Sequence, residues 1–281
     1  MPPRVVQPPD LVARYYDRNI RRFLSLGGSG ELAAIHRQVW APGVTSAVQA
    51  FAYINGLAAE AIRPAIQAGA SHVLDVGCGA GGTTTWLAQH LGVQVTGIAN
   101  GAVQIDLARQ RADRLGLAGQ CQFVLADFHA LPDLPPAQAA VAVESFIHAQ
   151  DAARFFQQVA GRLVSTGRLV IVDDFLTPHG QQDRRARFWV KRFQQGWHVP
   201  SMMGVGQALS LAEQAGFLLA AQHDLSAYLR TLSWAALGFM LLASVLPLNS
   251  AYLDNWRGGS ALQVCLKRGW SGYFALVWDK L

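Results

Sequence analysis

Charged residues are scarce in this sequence of 281 residues, and their scarcity excludes several kinds of protein. Only 15% of the residues are charged and 51% are hydrophobic, so long disordered regions are not expected beyond the proline-rich first nine residues. No run of five like charges occurs. The net charge of +5 permits an anionic partner without requiring one.

Cysteine and long hydrophobic runs are also limited. Cys78, Cys121 and Cys265 have neither metal-site nor redox-motif spacing. This odd count, without a recognisable signal peptide, predicts reduced structural thiols and a cytoplasmic location. The most apolar stretch, residues 233–248, is shorter than the roughly 20 residues that a membrane crossing needs. It predicts a buried helix, and no membrane span is expected.

A glycine-rich turn joins a strand pattern to a helix pattern near residue 80. Residues 72–76 predict a buried strand and residues 84–91 predict a helix, with Gly77, Gly79 and Gly81 between them. Glycine tolerates positive φ and has no Cβ, so a ligand can lie directly on the main chain while the helix points its free N–H groups at that ligand. The stretch therefore predicts a ligand site.

An acid, Asp75, ends the strand two residues before the first glycine. A carboxylate there can accept hydrogen bonds from an ammonium group and from the N–H groups of the turn, whereas beside a pyrophosphate it would add repulsion. This favours a cationic ligand that carries an amino acid. The spacing Gly77, Gly79, Gly82 also fits a dinucleotide fingerprint, so a nicotinamide-dependent oxidoreductase stays open as an alternative. That alternative expects an acid about 20 residues further on, where the sequence has neutral Asn100.

Apolar strand patterns alternate with amphipathic helix patterns along the chain. Such near-continuous apolar strands predict an α/β fold with a doubly wound, mostly parallel sheet, in which ligands bind outside the carboxyl ends of the strands. Asp75, Asn100, Asp127 and Glu144 fall at or just past those ends. The further predicted strands are 93–98, 121–127, 139–145, 167–175 and 272–280.

Segments outside this alternation predict a helical cap over the ligand edge of the sheet. They are residues 1–70, followed by a core at 71–281 that carries cap insertions at 175–206 and 225–257. The basic stretch 183–193 has two interpretations: a solvated helix, or a clamp for a diphosphate or carboxylate tail of a substrate.

The chain resembles class I S-adenosylmethionine-dependent methyltransferases that act on small molecules. The resemblance rests on the ordered motifs LDVGCGAG, VTGIANGAVQ, FVLADFHALP and VESFIHA. It implies a seven-stranded Rossmann-like sheet with a helical cap and S-adenosyl-L-methionine as the cofactor. A non-catalytic subunit that binds the cofactor stays open as an alternative, and the sequence does not indicate the oligomeric state.

The resemblance also implies where the cofactor binds. Asp127 and Phe128 match the pair that receives the adenine amino group and flanks its ring. Asn100 or Gln104 would hydrogen-bond the ribose hydroxyls in place of the usual acid. The predicted cofactor residues are Tyr16, Asp75, Gly77, Cys78, Gly79, Gly81, Asn100, Gln104, Asp127 and Phe128.

Glu144 and His148 are the predicted catalytic residues. Glu144 follows an apolar strand directly, which would place it near the transferred methyl group. Its carboxylate could accept a proton after methylation of a carbon or steady the intermediate cation, whereas histidine suits a hydroxyl, phenol or amine proton because its pKa lies near neutral pH. The alternatives are a helix-capping glutamate and a core histidine.

The sequence around residues 15–17 and 35–40 resembles the N-terminal lid of tocopherol, sterol and terpenoid-type methyltransferases. We expect C-, O- or N-methylation of a small apolar or aromatic metabolite in natural-product biosynthesis, with C-methylation of a prenyl diphosphate or other isoprenoid as an alternative. The predicted substrate residues are His36, Trp40, Phe188, Trp189 and Trp197.

Two absent patterns narrow this class further. No Asn-Pro-Pro-aromatic or Asp-Pro-Pro-aromatic motif follows the fourth strand, which disfavours methylation of nucleic-acid bases, so no nucleic acid partner is expected. Asp173 and Asp174 lack a convincing further oxygen ligand in the sequence, so no metal is expected.

Overall fold

The structure is a computed structural model that describes residues 36–66, 72–200, 202–243 and 251–281. Tyr16 and the remainder of the predicted N-terminal lid up to residue 35 lie outside the described residues. The strands are β1 (His72–Val76), β2 (Gln94–Ala99), β3 (Cys121–Leu125), β4 (Ala137–Val143), β5 (Leu163–Leu176), β6 (Phe217–Asp224) and β7 (Ser271–Lys280). The helices are α1 (Ala47–Ile66), α2 (Gly82–Leu91), α3 (Ala102–Arg114), α4 (Ala152–Ala160), α5 (Pro178–Gln182), α6 (Arg184–Trp197), α7 (Val205–Gln214), α8 (Trp234–Ala243) and α9 (Ala251–Lys267), with 3-10 turns at Phe146–His148 and Ser226–Tyr228.

The strands form one seven-stranded sheet in the order β3-β2-β1-β4-β5-β7-β6. Only β7 runs antiparallel to its neighbours, β5 and β6, so the predicted mostly parallel Rossmann-like sheet is confirmed. The strand order reverses between β1 and β4, where such sheets bind ligands at the carboxyl ends. Because β7 is antiparallel, its first residues reach the same edge, and Tyr273 pairs with Asp174 in β5.

Helix α1 covers a face of the sheet. Its side chains Ile54, Ala58 and Ile62 are fully or almost fully buried in one core with Val73 of β1 and Val170 of β5. This periodic apolar stripe is what a helix needs to pack on a sheet. Residues 47–66, which fall inside the range 1–70 predicted as the N-terminal cap, therefore form a layer on the sheet, and the boundary at residue 70 stays a prediction.

Helices α6 and α9 pack closely against each other. A Cβ built on Gly196 would lie 2.4 Å from the backbone oxygen of Asp254, and one built on Gly258 would lie 2.4 Å from Cδ1 of Trp197. We call residues 183–200 and 226–270 the helical subdomain. Its helix α9 continues to Lys267, beyond the end of the second predicted insertion, 225–257, whose bounds stay a prediction.

The helical subdomain attaches beside the carboxyl edge of the sheet. Ile147, in the turn that follows β4, packs with Phe193 of α6 and Leu262 of α9 in one apolar cluster. The described part of the chain contains no helix that is both long and apolar enough to cross a membrane. Helix α8 also differs from the buried helix predicted at 233–248, because Phe239 is 70% exposed.

Candidate active site

The glycine turn between β1 and α2 is built on left-handed backbone. Gly77, Gly79 and Gly81 have φ of 89°, 53° and 80°, a region that disfavours other residues. Gly81 is the N-cap of α2, and no side chain among the described residues caps this helix end. The first N–H groups of α2 therefore suit a carboxylate such as that of a bound amino acid. The turn fits the methionine part of S-adenosylmethionine.

Asp75 lies beneath this turn. It is 1% exposed, and its Oδ2 accepts a hydrogen bond of 2.6 Å from the Thr84 hydroxyl. Burial raises the pKa of Asp75 to about 6, partly offset by hydrogen bonds from Thr84. The carboxyl group thus ties the first turn of α2 to the end of β1. Because the carboxyl group of Asp75 is enclosed by protein, its contact with the ammonium group of a ligand stays a prediction.

The ends of β2 and β3 carry the residues predicted for the ribose and adenine. Asn100 is half-buried and Gln104 is buried. Asp127 accepts hydrogen bonds at Oδ1 from the backbone N–H and ring Nδ1 of His129, both 2.8 Å. These hydrogen bonds lower the pKa of Asp127, against the effect of its partial burial. Asp127 is therefore an ionised acceptor at neutral pH, as recognition of an amino group requires. Phe128 packs edge-on against Phe155.

Glu144 stands just past the end of β4 in a strained conformation. Its φ is 48°, which is uncommon for a residue other than glycine and costs about 1 to 3 kcal/mol. Its Oε1 accepts hydrogen bonds of 2.8 Å from the backbone N–H of Arg37 and from the hydroxyl of Tyr273. The surroundings thus hold the carboxylate in one position.

Ser145 fastens Glu144 to the glycine turn. Its hydroxyl donates a hydrogen bond of 2.6 Å to the carbonyl oxygen of Val76, and a Cβ on Gly77 would lie 2.3 Å from its own Cβ. The ends of β1 and β4 therefore lie so close together that a side chain at Gly77 would have no room. This contact places Glu144 beside the turn predicted to hold the cofactor.

A buried ion pair supports the same carboxylate. Arg37 donates two hydrogen bonds to Asp174, from Nη1 to Oδ1 at 2.7 Å and from Nη2 to Oδ2, and its guanidinium lies 5.0 Å from the ring centroid of Tyr273. Burial alone would lower the pKa of Arg37, but the carboxylates of Asp174 and Glu144 raise it above its ordinary value. Arg37 remains charged, and it is oriented by partners on two strands.

Tyr273 and Asp173 complete the cluster. Burial and the nearby charge of Glu144 raise the pKa of Tyr273 well above its usual range, so the phenol keeps its proton and donates it to Glu144 in a hydrogen bond. Asp173 accepts hydrogen bonds from the backbone N–H groups of Ile147 and Asp174. Burial and the charge of Asp174 raise the pKa of Asp173 as well. It anchors the turn that follows Glu144.

Two buried histidines near this edge have lowered pKa values. Burial lowers the pKa of His148 to about 4, and its ring interacts with the backbone of His198 at the end of α6. This pKa lies below the near-neutral range that suits a base for a hydroxyl proton, and the catalytic role of His148 stays a prediction. His36 is 8% exposed and its Nδ1 lies 3.1 Å from the carbonyl oxygen of Arg37. Burial lowers its pKa, against the charge of Glu144. Its buried Nε2 has no hydrogen-bond partner among the described residues, which a ligand could supply.

The other predicted substrate residues lie in packing or surface positions. The half-buried ring of Trp40 lies under the guanidinium of Arg230, 3.2 Å from the ring centroid. Phe188 is 61% exposed on α6. Trp189 packs inside the helical subdomain, and Trp197 donates a hydrogen bond of 3.0 Å to the carbonyl oxygen of Asn255. None of these contacts involves Glu144, so substrate roles for these residues stay predictions.

No sequence pattern indicated Arg37 and Tyr273 as site residues, and Asp174 was singled out only as part of a pair too poor in oxygen ligands for a metal. Arg37 and Tyr273 are 107 and 129 positions from Glu144 in the chain. The antiparallel pairing of β5 with β7 brings Tyr273 to the edge, and local periodicity does not reveal that pairing.

Comparisons with known proteins indicate the class to which the chain is similar. A family profile described as methyltransferase domain matches residues 73–167. A sterol 24-C-methyltransferase of Neurospora crassa is 28% identical over 185 residues, which is 65% of this chain and 48% of that protein. An O-methyltransferase of Penicillium expansum is 35% identical over 150 residues, which is 52% of this chain and 51% of that protein. The chain thus spans about half the length of these curated relatives.

A solved structure of similar fold is the geranyl diphosphate C-methyltransferase from Streptomyces coelicolor A3(2), in complex with Mg²⁺, geranyl-S-thiolodiphosphate and S-adenosyl-L-homocysteine. The likeness covers the whole of both chains with a TM-score of 0.72 and 17% sequence identity. This likeness confirms the predicted Rossmann-like fold. The match of residues 73–167 to a methyltransferase domain and the methyltransferases among the relatives agree with the predicted class, S-adenosylmethionine-dependent methyltransferases. The comparisons give the nicotinamide-dependent alternative no support.

Within the described ranges, no group of three or more His, Cys, Asp or Glu side chains is arranged to hold a metal ion.

Proposed function

We propose that this protein transfers the methyl group of S-adenosylmethionine to an alkene carbon of a small apolar acceptor of the isoprenoid type. The observation that carries the proposal is Glu144: two donors hold its carboxylate, its backbone is strained, and the neighbouring Ser145 joins it to the glycine turn. The sterol and geranyl diphosphate C-methyltransferases among the similar proteins support a carbon acceptor.

In this proposal the cofactor extends along the carboxyl ends of β3, β2 and β1. Asp127 accepts hydrogen bonds from the adenine amino group, Asn100 and Gln104 reach the ribose, and the turn at Gly77 to Gly81 holds the methionine part. S-Adenosylmethionine supplies an electrophilic methyl group and leaves as a neutral thioether. The chain's residues have to align the acceptor with that methyl group and handle one proton.

Glu144 takes the central part in handling that proton. As the new carbon–carbon bond forms, the acceptor's double bond supplies the electron pair and a carbocation develops on the neighbouring carbon. The fixed carboxylate stabilises this charge without having to reorganise. A proton then passes from a carbon beside the cation to Glu144, the C–H electrons restore a double bond, and no oxidant or reductant is needed.

Carbon methylation accounts for these features better than hydroxyl methylation does. A base for a hydroxyl needs a pKa near the working pH, and burial lowers that of His148 to about 4. Tyr273 and Arg37 donate to Glu144 rather than remove protons. An alkene attacks the methyl group without first losing a proton, so no base is needed to activate it. The carboxylate only has to stabilise the cation that forms and accept its proton. The O-methyltransferase among the relatives makes hydroxyl methylation the competing outcome of the experiments.

The substitution Glu144→Gln tests this assignment, because it keeps the side chain's shape and removes its charge. We expect turnover of an isoprenoid acceptor to fall about 100-fold or more, the scale of a lost general base, while the affinity for S-adenosylhomocysteine changes less than about twofold. Glu213→Gln, on the exposed part of α7, is the matched control.

Near-normal turnover of Glu144→Gln would contradict the proposal. If His36→Ala then abolished turnover, the unpaired Nε2 of His36 would be the proton acceptor instead. Loss of cofactor binding in Glu144→Gln would show that Glu144 serves the binding site and not the transfer step. Any turnover by the unsubstituted chain would exclude the alternative that the protein is a non-catalytic subunit that binds the cofactor.

A further inference from the structure

Helix α8 exposes an apolar face that the proposed reaction does not use. Its ten residues, WAALGFMLLA, include no charged side chain. A helix that is apolar all round is normally buried on all sides. Here Leu237 is 1% exposed, but Trp234, Phe239 and Leu242 are 51%, 70% and 74% exposed. An exposed apolar patch of this kind usually marks a contact surface.

Cations border this face. The Nζ of Lys267 and the guanidinium carbon of Arg268, both next to the end of α9, lie 5.2 Å and 5.1 Å from the ring centroid of Trp234. On α6 of the same helical subdomain, Arg184, Arg187 and Lys191 are exposed, and no ion pair joins them to other described residues.

The charge of the chain is concentrated in the helical subdomain. Residues 183–200 and 226–270 contain nine Lys and Arg residues against two Asp, whereas the rest of the chain contains fourteen basic and sixteen acidic residues. The remainder is therefore slightly negative. Exposed aromatic and aliphatic side chains among cations match the chemistry of an anionic membrane interface.

We propose that α8 and its basic surroundings dock the protein on the surface of an anionic lipid bilayer. Phe239 and Leu242 would enter the interface between headgroups and acyl chains, with Lys267 and Arg268 at the level of the phosphates. A second copy of the chain would bring two basic subdomains together. The chain's own residues 1–35 carry five Arg against three acids, so they are no better matched in charge. The proposal does not rest on the proposed reaction, since lipid binding is measured without turnover.

Accessibility of a new thiol provides the first test. The native cysteines Cys78, Cys121 and Cys265 are buried, so Phe239→Cys in the full chain adds a single exposed thiol. We expect this thiol to react readily with a membrane-impermeant maleimide in buffer and to react at least about tenfold more slowly with vesicles of about one third phosphatidylglycerol in phosphatidylcholine. Leu218→Cys, on the edge strand β6, is the matched control and should react equally in both conditions. Slow reaction of Phe239→Cys without vesicles would overturn the proposal, because protein would then cover the face.

Flotation with the same vesicles provides the second test. We expect the full chain to bind them and to bind pure phosphatidylcholine vesicles at least about tenfold less. Phe239→Ser with Leu242→Ser should reduce binding about tenfold or more. Leu218→Ser with Leu219→Ser, which changes two other exposed apolar residues on β6, should leave binding unchanged. Lys267→Gln and Arg268→Gln should each weaken binding about fivefold.

Equal binding to both vesicle types, or unchanged binding of the Phe239 and Leu242 variant, would contradict the proposal. So would a dimer in sedimentation velocity that this variant dissociates.

Discussion

At the scale of single residues, Glu144 connects strain to function. Its left-handed backbone persists because Arg37, Tyr273 and the Ser145 bond to Val76 fix the chain around it. Backbone strain that the surroundings hold in place is typical of functional sites. The sequence predicted Glu144 as a catalytic residue because it directly follows an apolar strand. It could not predict the two donors, because folding alone brings such distant positions together.

Asp127 carries a prediction for the cofactor's adenine end. Replacing its ionised carboxylate with alanine would remove the charge-assisted hydrogen bond that we propose to the adenine amino group. In Asp127→Ala we expect S-adenosylhomocysteine to bind more weakly by about 1 to 3 kcal/mol, or about 5- to 150-fold. Titration calorimetry measures the change.

Asp133→Ala is the control for this variant. Asp133 lies on the same connection between β3 and β4, and its side chain is fully exposed beside Arg162. This variant should bind the cofactor as the unsubstituted chain does. Unchanged affinity in Asp127→Ala would place the adenine elsewhere on the sheet edge.

At the scale of helices and strands, the sequence predicted where the elements lie in the chain better than it predicted which parts of the structure pack against them. The pattern of α1 predicted a helix, and its buried Ile54 and Ile62 do lie on one side. An amphipathic stripe shows that a helix is covered on one face, but not which layer covers it. The same limit applies to α8, whose apolar sequence predicted burial while Phe239 and Leu242 are exposed.

The crossing of α6 and α9 carries a prediction about stability. A Cβ on Gly258 would collide with Trp197, whereas one on Gly259 would make an ordinary contact at 3.7 Å. We expect Gly258→Ala to lower the free energy of unfolding by about 1 to 3 kcal/mol through overpacking. Gly259→Ala should leave it equal or raise it by up to about 1 kcal/mol, because alanine favours helix.

Urea unfolding of both variants measures the difference. The cluster of Ile147 with Phe193 and Leu262 links this crossing to the turn after Glu144. Gly258→Ala should therefore raise KM for the acceptor as well, while Gly259→Ala does not. An equal free energy of unfolding in the two variants would show that α6 and α9 lie further apart than described above.

At the scale of the whole molecule, the sheet order explains why four distant motifs form one site. The order β3-β2-β1-β4-β5-β7-β6 aligns the carboxyl ends of β3, β2, β1 and β4, so Asp127, Asn100, the glycine turn and Glu144 follow one another along the edge. Alternating strand and helix patterns predicted this sheet. The position of β7 between β5 and β6 was not predictable from spacing, and it delivers Tyr273 to the edge. The shape of the acceptor pocket depends on side chains from several segments, so it could not be predicted from the sequence either.

The identity of the bond formed tests the central claim most directly. The full chain is incubated with S-adenosylmethionine labelled with ¹³C at its methyl group, and with a prenyl diphosphate and a phenol as competing acceptors. Carbon NMR of the products then shows which atom carries the label. We predict a labelled methyl group attached to carbon of the prenyl chain, with a double bond retained, and no labelled product from the phenol. A labelled methyl ether of the phenol, with the prenyl diphosphate recovered unchanged, would contradict the assignment of Glu144 and the carbon acceptor together.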